Sequence, residues 1–424
     1  MQHSTGEGLL AGCRVLDLAD EKGILCGKIL GDLGADVIKL EPPGGDPARH
    51  NGPFYKDIPH PEKSLFWWYT NLNKRGITLN LETEDGRDLF RRLVRTADFV
   101  IESFEPDYMA SLGLSYAELE KINRRVIMTS ITPFGQSGPY AHYKATDLVG
   151  VAIGGMVRMY GDPGRPPVRI SAPQFYSLGG IHGAVGSTMA HYYRELTGEG
   201  QHVDVSCQQA VVLSLMMTIE YWDLNRLTVK GAGPFMQWAR PAPLGSLMTR
   251  QVFPCKDGYV VIQLSGGVSA GAVKSSSALY QMAAKEGYAL EFKDYDWRTY
   301  NRATIPQENM ARMEDALALF LKTKTKAELF KEAIDKEILL IPVNDVKDVA
   351  ESPQLATRGF FKQVEHPELG DSITYPGSPV QISESPYRIR RRAPRIGEHN
   401  EEIYGGELGL SKEEMVLLKT RGVI

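Results

Sequence analysis

From Arg165 to Tyr193 the sequence contains no aspartate or glutamate. Such a stretch can pack and donate hydrogen bonds, but it cannot supply a carboxylate nucleophile. Tyr176 lies within it. A phenol has a pKa near ~10 and stays protonated at neutral pH, so Tyr176 reads as a packing or hydrogen-bonding residue. The four thiols, Cys13, Cys26, Cys207 and Cys255, are far apart and show no C-x-x-C spacing. They read as reduced core cysteines, with no disulfide and no metal site expected. Four basic residues, Lys39, Lys74, Arg75 and Lys144, could meet an anionic ligand. Each reads equally well as a solvated or salt-bridged surface side chain.

The elements that would hold these residues follow from the pattern around them. Small residues recur at Gly179, Gly180, Gly183, Ala184, Gly186, Ser187 and Ala190, with no proline after Pro173. A helix built this way admits another backbone closely, despite the propensity that glycine costs. A turn at 197–200 and a strand at His202–Ser206 follow. Upstream, Cys13–Leu18 and Ala35–Glu41 read as buried strands around a helix at Gly27–Leu33, a βαβ unit and so a parallel sheet. Further strands are expected at Ile77–Leu81, Phe99–Glu102 and Val126–Ser130. Helices are expected at Thr83–Thr96, capped by Thr83 with Glu84 and Asp85 behind it, and at Tyr116–Ile122. The first 210 residues therefore read as a Rossmann-like α/β domain.

After Ala210 the character changes. An apolar segment, Val211–Leu227, leads to a linker at Gly231–Pro234. β structure is expected over Thr249–Leu264, and helices at Ser275–Lys285, Gln307–Lys322 and Lys326–Asp335. From Ile341 the chain becomes proline-punctuated and extended, before a capped C-terminal helix at Leu410–Glu414. The 424 residues allow two or three domains. A net charge of −4 gives no support for a nucleic-acid partner. There is no apolar run of 18 residues and no basic leader, so no membrane span or export is expected, and a cytoplasmic location is.

An ordered set of motifs then carries a resemblance. It runs through Val15-Leu-Asp17, Leu33–Glu41, Gly45–Arg49, Asn71–Arg75, Phe134–Tyr140, Asp257–Tyr259, Ile341–Asn344, Glu365–Gly370 and Ala393–His399. Each piece alone is weak, but their order and spacing over nearly the whole chain resemble the family III CoA-transferases, relatives of the 2-methylacyl-CoA racemases. The resemblance implies a Rossmann-like large domain built from both chain ends, 1–210 and 350–424. It implies a small middle α+β domain at 240–340, linkers at 211–239 and 341–349, and an interlocked-ring dimer. The apolar Val211–Trp222 segment could line that interface, or be an ordinary core helix.

The family's chemistry needs a carboxylate. An Asp attacks the acyl-CoA thioester, giving a mixed anhydride and CoA thiolate; the thiolate returns, giving an enzyme-bound CoA thioester that the acceptor acid takes over. That Asp lies four residues before the glycine opening the small-residue helix, and counting back from Gly180 reaches Tyr176. The racemases use a His directly before an Asp, but Thr146 precedes Asp147 here, and His142 lies four residues too early. The CoA-binding positions are altered as well. Asp20–Gly23 replaces a small-residue turn, Glu105 and Ser111 replace arginines, and Glu82 replaces a lysine. Lys39, Lys74, Arg75 and Lys144 remain as weak CoA-binding candidates. The resemblance thus implies a subunit without catalytic residues of its own. It would support an Asp-containing paralogue in a hetero-oligomer that takes a CoA thioester as substrate, with no tightly bound cofactor. Within the family, the match is to a two-subunit arrangement of anaerobic aromatic degradation, implying succinyl-CoA and (R)-2-benzylsuccinate. Two alternatives stay open: a self-sufficient homodimeric transferase with an unrecognised nucleophile, and a non-enzymatic binding or scaffold protein.

Overall fold

Strands β1 (Arg14–Asp17), β2 (Asp36–Glu41), β3 (Lys74–Thr78), β4 (Phe99–Glu102) and β5 (Ile127–Thr132) are buried along almost every residue. That is the signature of a parallel sheet covered on both faces. With β6 (His202–Ser206) they form one fully parallel sheet in the order β3-β2-β1-β4-β5-β6. The computed structural model describes residues 8–240 and 244–424. They fall into two compact units, one of 8–157, 169–228 and 354–424, the other of 158–168, 229–240 and 244–353.

In the first unit, alternate strand residues feed two cores. Leu16, Ile38, Ile77, Val100 and Met128 meet the helix Glu84–Val94, the helix Tyr116–Ile122 and the C-terminal residues Ile403, Tyr404, Val423 and Ile424. Val15, Val37, Phe99, Ile127 and Ile131 meet α1 (Ile24–Asp32), α2 (Asp147–Ile153) and α3 (Phe175–Thr197). The small residues of α3 are required by this packing. A Cβ on Gly179 would lie 2.3 Å from Cys207 Sγ, one on Gly180 2.9 Å from Leu25 Cβ, and one on Gly183 2.7 Å from Ile131 Cδ1. Buried Ser187 shares a hydrogen bond of 2.7 Å with Thr129 on β5.

Strand β3 begins at Lys74, three residues before the expected Ile77. Two basic residues open it because each finds carboxylate partners, Lys74 inside the fold and Arg75 at its rim. Lys74 Nζ donates to Asp17 Oδ2 at 2.7 Å and to the Ile24 carbonyl at 3.0 Å, and neither side chain of the pair is exposed. Arg75 binds Asp36 at 2.6 Å, Glu402 at 2.7 Å and Glu407 at 2.6 Å. Gly27 belongs to the same arrangement, since a Cβ there would sit 2.1 Å from Asp17 Oδ2.

The apolar segment after Ala210 is two helices of the first unit, where a linker is expected. They are α4 (Cys207–Ser214) and α5 (Thr218–Asn225), broken at Met216, whose φ is +51°. No residue of α5 is buried. Leu213, Met216, Ile219, Trp222 and Leu224 are exposed, as are Val185, Met189, Tyr192 and Leu196 on α3. The second unit has its own core of Leu247, Phe253, Tyr280, Trp297, Leu317 and Phe320. Its longer helices are Ala270–Lys285, Gln307–Leu321 and Lys326–Lys336, and it has an antiparallel three-stranded sheet. The C-terminal helix runs over Lys412–Thr420, with Ser411 and Glu414 forming the capping box. Among the described residues no helix is long and apolar enough to cross a membrane.

The Lys74–Asp17 pair gives the fold a direct test. Lys74→Met leaves a carboxylate buried without its counter-charge, at a cost of about 3–5 kcal/mol. Denaturant titration should show that loss, and Asp17→Asn combined with Lys74→Met should recover most of it. A double variant no more stable than the single one would place the cost elsewhere.

Candidate functional site

Successive strands are added on one side of β1 as far as β3 and then, from β4, on the other, so the strand order reverses between β1 and β4. Open parallel sheets bind ligands in the crevice beyond the carboxyl ends of the strands at that point. Here the crevice is acidic. After β1, the Asp20 carboxylate accepts the Ser103 hydroxyl at 2.7 Å and the Lys22 backbone N–H at 3.0 Å, and the Lys22 ammonium pairs with it. The Ser103 hydroxyl in turn accepts the Asp20 N–H at 2.9 Å, so the two loops lock together across the switch point. Glu21 follows, hydrogen-bonded to Asn51. At the end of β4, Glu102 is 3% exposed and accepts the Phe104 N–H at 2.7 Å. Burial pushes its carboxyl up to about 7, against hydrogen bonds from Ser130 and Phe104.

Tyr176 occupies the first turn of α3, half-buried and tilted against Phe175 with ring centroids 5.1 Å apart. Its hydroxyl donates to the Ala145 carbonyl at 2.6 Å. Burial raises its pKa above the ordinary phenol value, and the nearby carboxylates Glu21, Asp20 and Asp147 push the same way. The start of α3 is held by Asp147, whose Oδ1 accepts the N–H groups of Gln174 at 2.7 Å and Phe175 at 2.9 Å. Thr146 caps α2. Both residues of the Thr146-Asp147 pair are thus spent on helix ends. His142 is exposed, 3.9 Å from Asp107.

The basic candidates do not converge on this crevice as free cations. Lys39 is fully buried, 2.9 Å from Asp46 and 2.6 Å from the Ala19 carbonyl. Burial works against its charge, but Asp46 and Asp17 outweigh it and leave the pKa raised. Lys74 and Arg75 are committed as described above. Lys144 is exposed and 3.2 Å from Glu105. Glu82 accepts the Tyr108 hydroxyl, and the Ser111 hydroxyl donates to the Tyr108 carbonyl within its own turn. Among the described residues, no group of three or more His, Cys, Asp or Glu side chains is arranged to hold a metal ion.

The model of the CoA-transferase family III matches residues 10–400. The chain belongs to CoA-transferase family III. It is 36% identical over 390 residues, 92% of each chain, to the subunit BbsE of succinyl-CoA:(R)-benzylsuccinate CoA-transferase from Thauera aromatica. It is 33% identical to a formyl-CoA:oxalate CoA-transferase of Streptomyces coelicolor, covering 98% of this chain and 99% of that one. Among solved structures, a CAIB/BAIF family protein from Brucella suis superposes with a TM-score of 0.80 at 28% identity. That match covers 94% of this chain and 99% of the other.

For a family III transferase, the crevice has two features that sequence reasoning did not single out. In the sequence Glu102 is only the end of a strand, because burial of a single acid leaves no periodic signal. The Asp20–Ser103 lock joins residues 83 apart, and only the parallel register of β1 with β4 brings them together.

Glu102 supplies a pH test. Its folded-state pKa lies above the ordinary carboxylate value, so the folded chain binds more protons between pH ~4.5 and ~7. Its ionisation therefore removes stability as pH rises through that window. Glu102→Gln should be more stable than the parent at pH 8, with the difference vanishing near pH 4 in thermal melts. A constant difference across that range would mean Glu102 is not the titrating group.

Proposed function

We propose that this chain is the non-catalytic subunit of a hetero-oligomeric family III CoA-transferase. A paralogue with a carboxylate in place of Tyr176 would carry the covalent chemistry. The observation that carries this reading is the state of Tyr176: a protonated phenol donated to a backbone carbonyl, in a stretch without any carboxylate. A phenyl ester formed there would be a stable trap, with no route to an anhydride.

The crevice supports the same reading. By the family resemblance, Glu105 replaces an arginine and Glu82 a lysine that would meet CoA phosphates, and like-charge repulsion opposes their binding. Lys39, Lys74 and Arg75 are held by carboxylates, which leaves Lys144 as the exposed candidate, itself beside Glu105. CoA binding in this subunit's own site is therefore weak. The likeness to a benzylsuccinate CoA-transferase subunit supports succinyl-CoA and (R)-benzylsuccinate as the substrates of the complex.

The partner covers the apolar surface of α3, α4 and α5. Thirteen large apolar side chains on these helices and on the break between α4 and α5 face solvent in the single chain, including Met216 at 76% and Leu224 at 77% exposure, and exposed apolar surface on this scale marks an interaction site. The split of the first unit between both chain ends fits an interlocked arrangement, in which each ring is threaded by the other subunit.

Tyr176→Phe, co-expressed with the Asp-containing paralogue, should leave turnover within about twofold of the parent. A fall of roughly 10³-fold in kcat with assembly intact would overturn the non-catalytic reading. Leu224→Asp tests the interface separately. The position is exposed in the single chain, so the variant should fold, but the new carboxylate should abolish co-purification because it would be buried unpaired in the complex. A variant that still co-purifies would move the interface off α5.

A further inference from the structure

The second unit contains a small cavity that the transferase reading does not use. Its volume is about 190 Å³, and Arg158, Arg165 and Lys230 line it together with the loop from Tyr160 to Pro167. Asp162 is the one acid on its wall. That acid pairs with Arg165 of the same wall at 3.7 Å. Among the described residues, the Arg158 guanidinium and the Lys230 ammonium have no ion-pair or hydrogen-bond partner. Three cations against one committed carboxylate leave a net positive cavity.

The wall is stiff. Pro163, Pro166 and Pro167 restrict the loop. Asp162-Pro-Gly-Arg165 closes as a turn, with the Arg165 N–H donating to the Asp162 carbonyl at 3.2 Å and Gly164 at φ +78°. Pro second and a positive-φ Gly third is the arrangement of a type II turn. The loop is also tied to the following segment, since Gly231 N–H donates to the Arg158 carbonyl at 2.9 Å and Gly233 N–H to the Gly161 carbonyl at 2.9 Å. A rigid concave loop carrying unpaired guanidinium and ammonium groups is pre-organised for an anion, because little ordering remains to be done on binding. Guanidinium groups match the paired oxygens of carboxylate and phosphate alike.

We propose that this cavity binds a small dianion whose charge sits on oxygen, either a dicarboxylate or a phosphate. Calorimetric titration of the full-length protein as purified, at low salt, with succinate, inorganic phosphate and neutral succinamide tests it. The expected result is one saturable site per chain for succinate or phosphate and none for succinamide. Arg158→Ala combined with Lys230→Ala should weaken that site by ~10-fold or more. Both side chains are exposed, so circular dichroism should show the variant folded. Tighter binding of succinate identifies the dicarboxylate, and tighter binding of phosphate the phosphate group. Absence of saturable binding, or equal binding by the folded double variant, overturns the proposal.

Discussion

Buried charge pairing is the constraint on which the sheet and its crevice both depend. A cation inside a parallel sheet is tolerable only with a carboxylate in contact, because a single desolvated charge costs several kcal/mol. Lys74 with Asp17, Lys39 with Asp46, and Arg49 with Glu41 at 2.6 Å satisfy this at the ends of β1, β2 and β3. Satisfying it has a functional consequence. Cations held inside the fold are not available to a phosphate-bearing ligand, and the loops beyond the strands then present Asp20, Glu21 and Glu105 instead.

The second constraint is steric. α3 can lie against α1, β5 and α4 only because Gly179, Gly180 and Gly183 lack a Cβ. That contact places the first turn of α3 beside the Asp20 loop and fixes Tyr176 there. Asp147 then satisfies the unpaired N–H groups of the helix start. The side chain held at this first turn is a phenol bonded to a carbonyl.

Most of the α/β architecture was legible because its signals are local. The capping residues Thr83 and Ser411 mark helix starts, and the spacing of small residues marks α3. The family was legible because its motifs are spread in order along the chain, and the missing acid before Gly180 could be counted. What was not legible depends on contacts between distant residues. Lys74 and Arg75 look like a polar turn until Asp17, Asp36, Glu402 and Glu407 are brought around them. The apolar run after Ala210 reads as one element, and only the left-handed backbone at Met216 breaks it into two helices. The Asp20–Ser103 lock has no counterpart in any sequence window.

The central claim is that no covalent intermediate forms on this chain. It is tested most directly by intact-mass measurement of both subunits after the co-expressed complex is incubated with succinyl-CoA and quenched. The expected result is a CoA-thioester adduct on the Asp-containing paralogue and an unmodified mass for this chain. A stoichiometric adduct on this chain, mapped to any residue, would contradict the account.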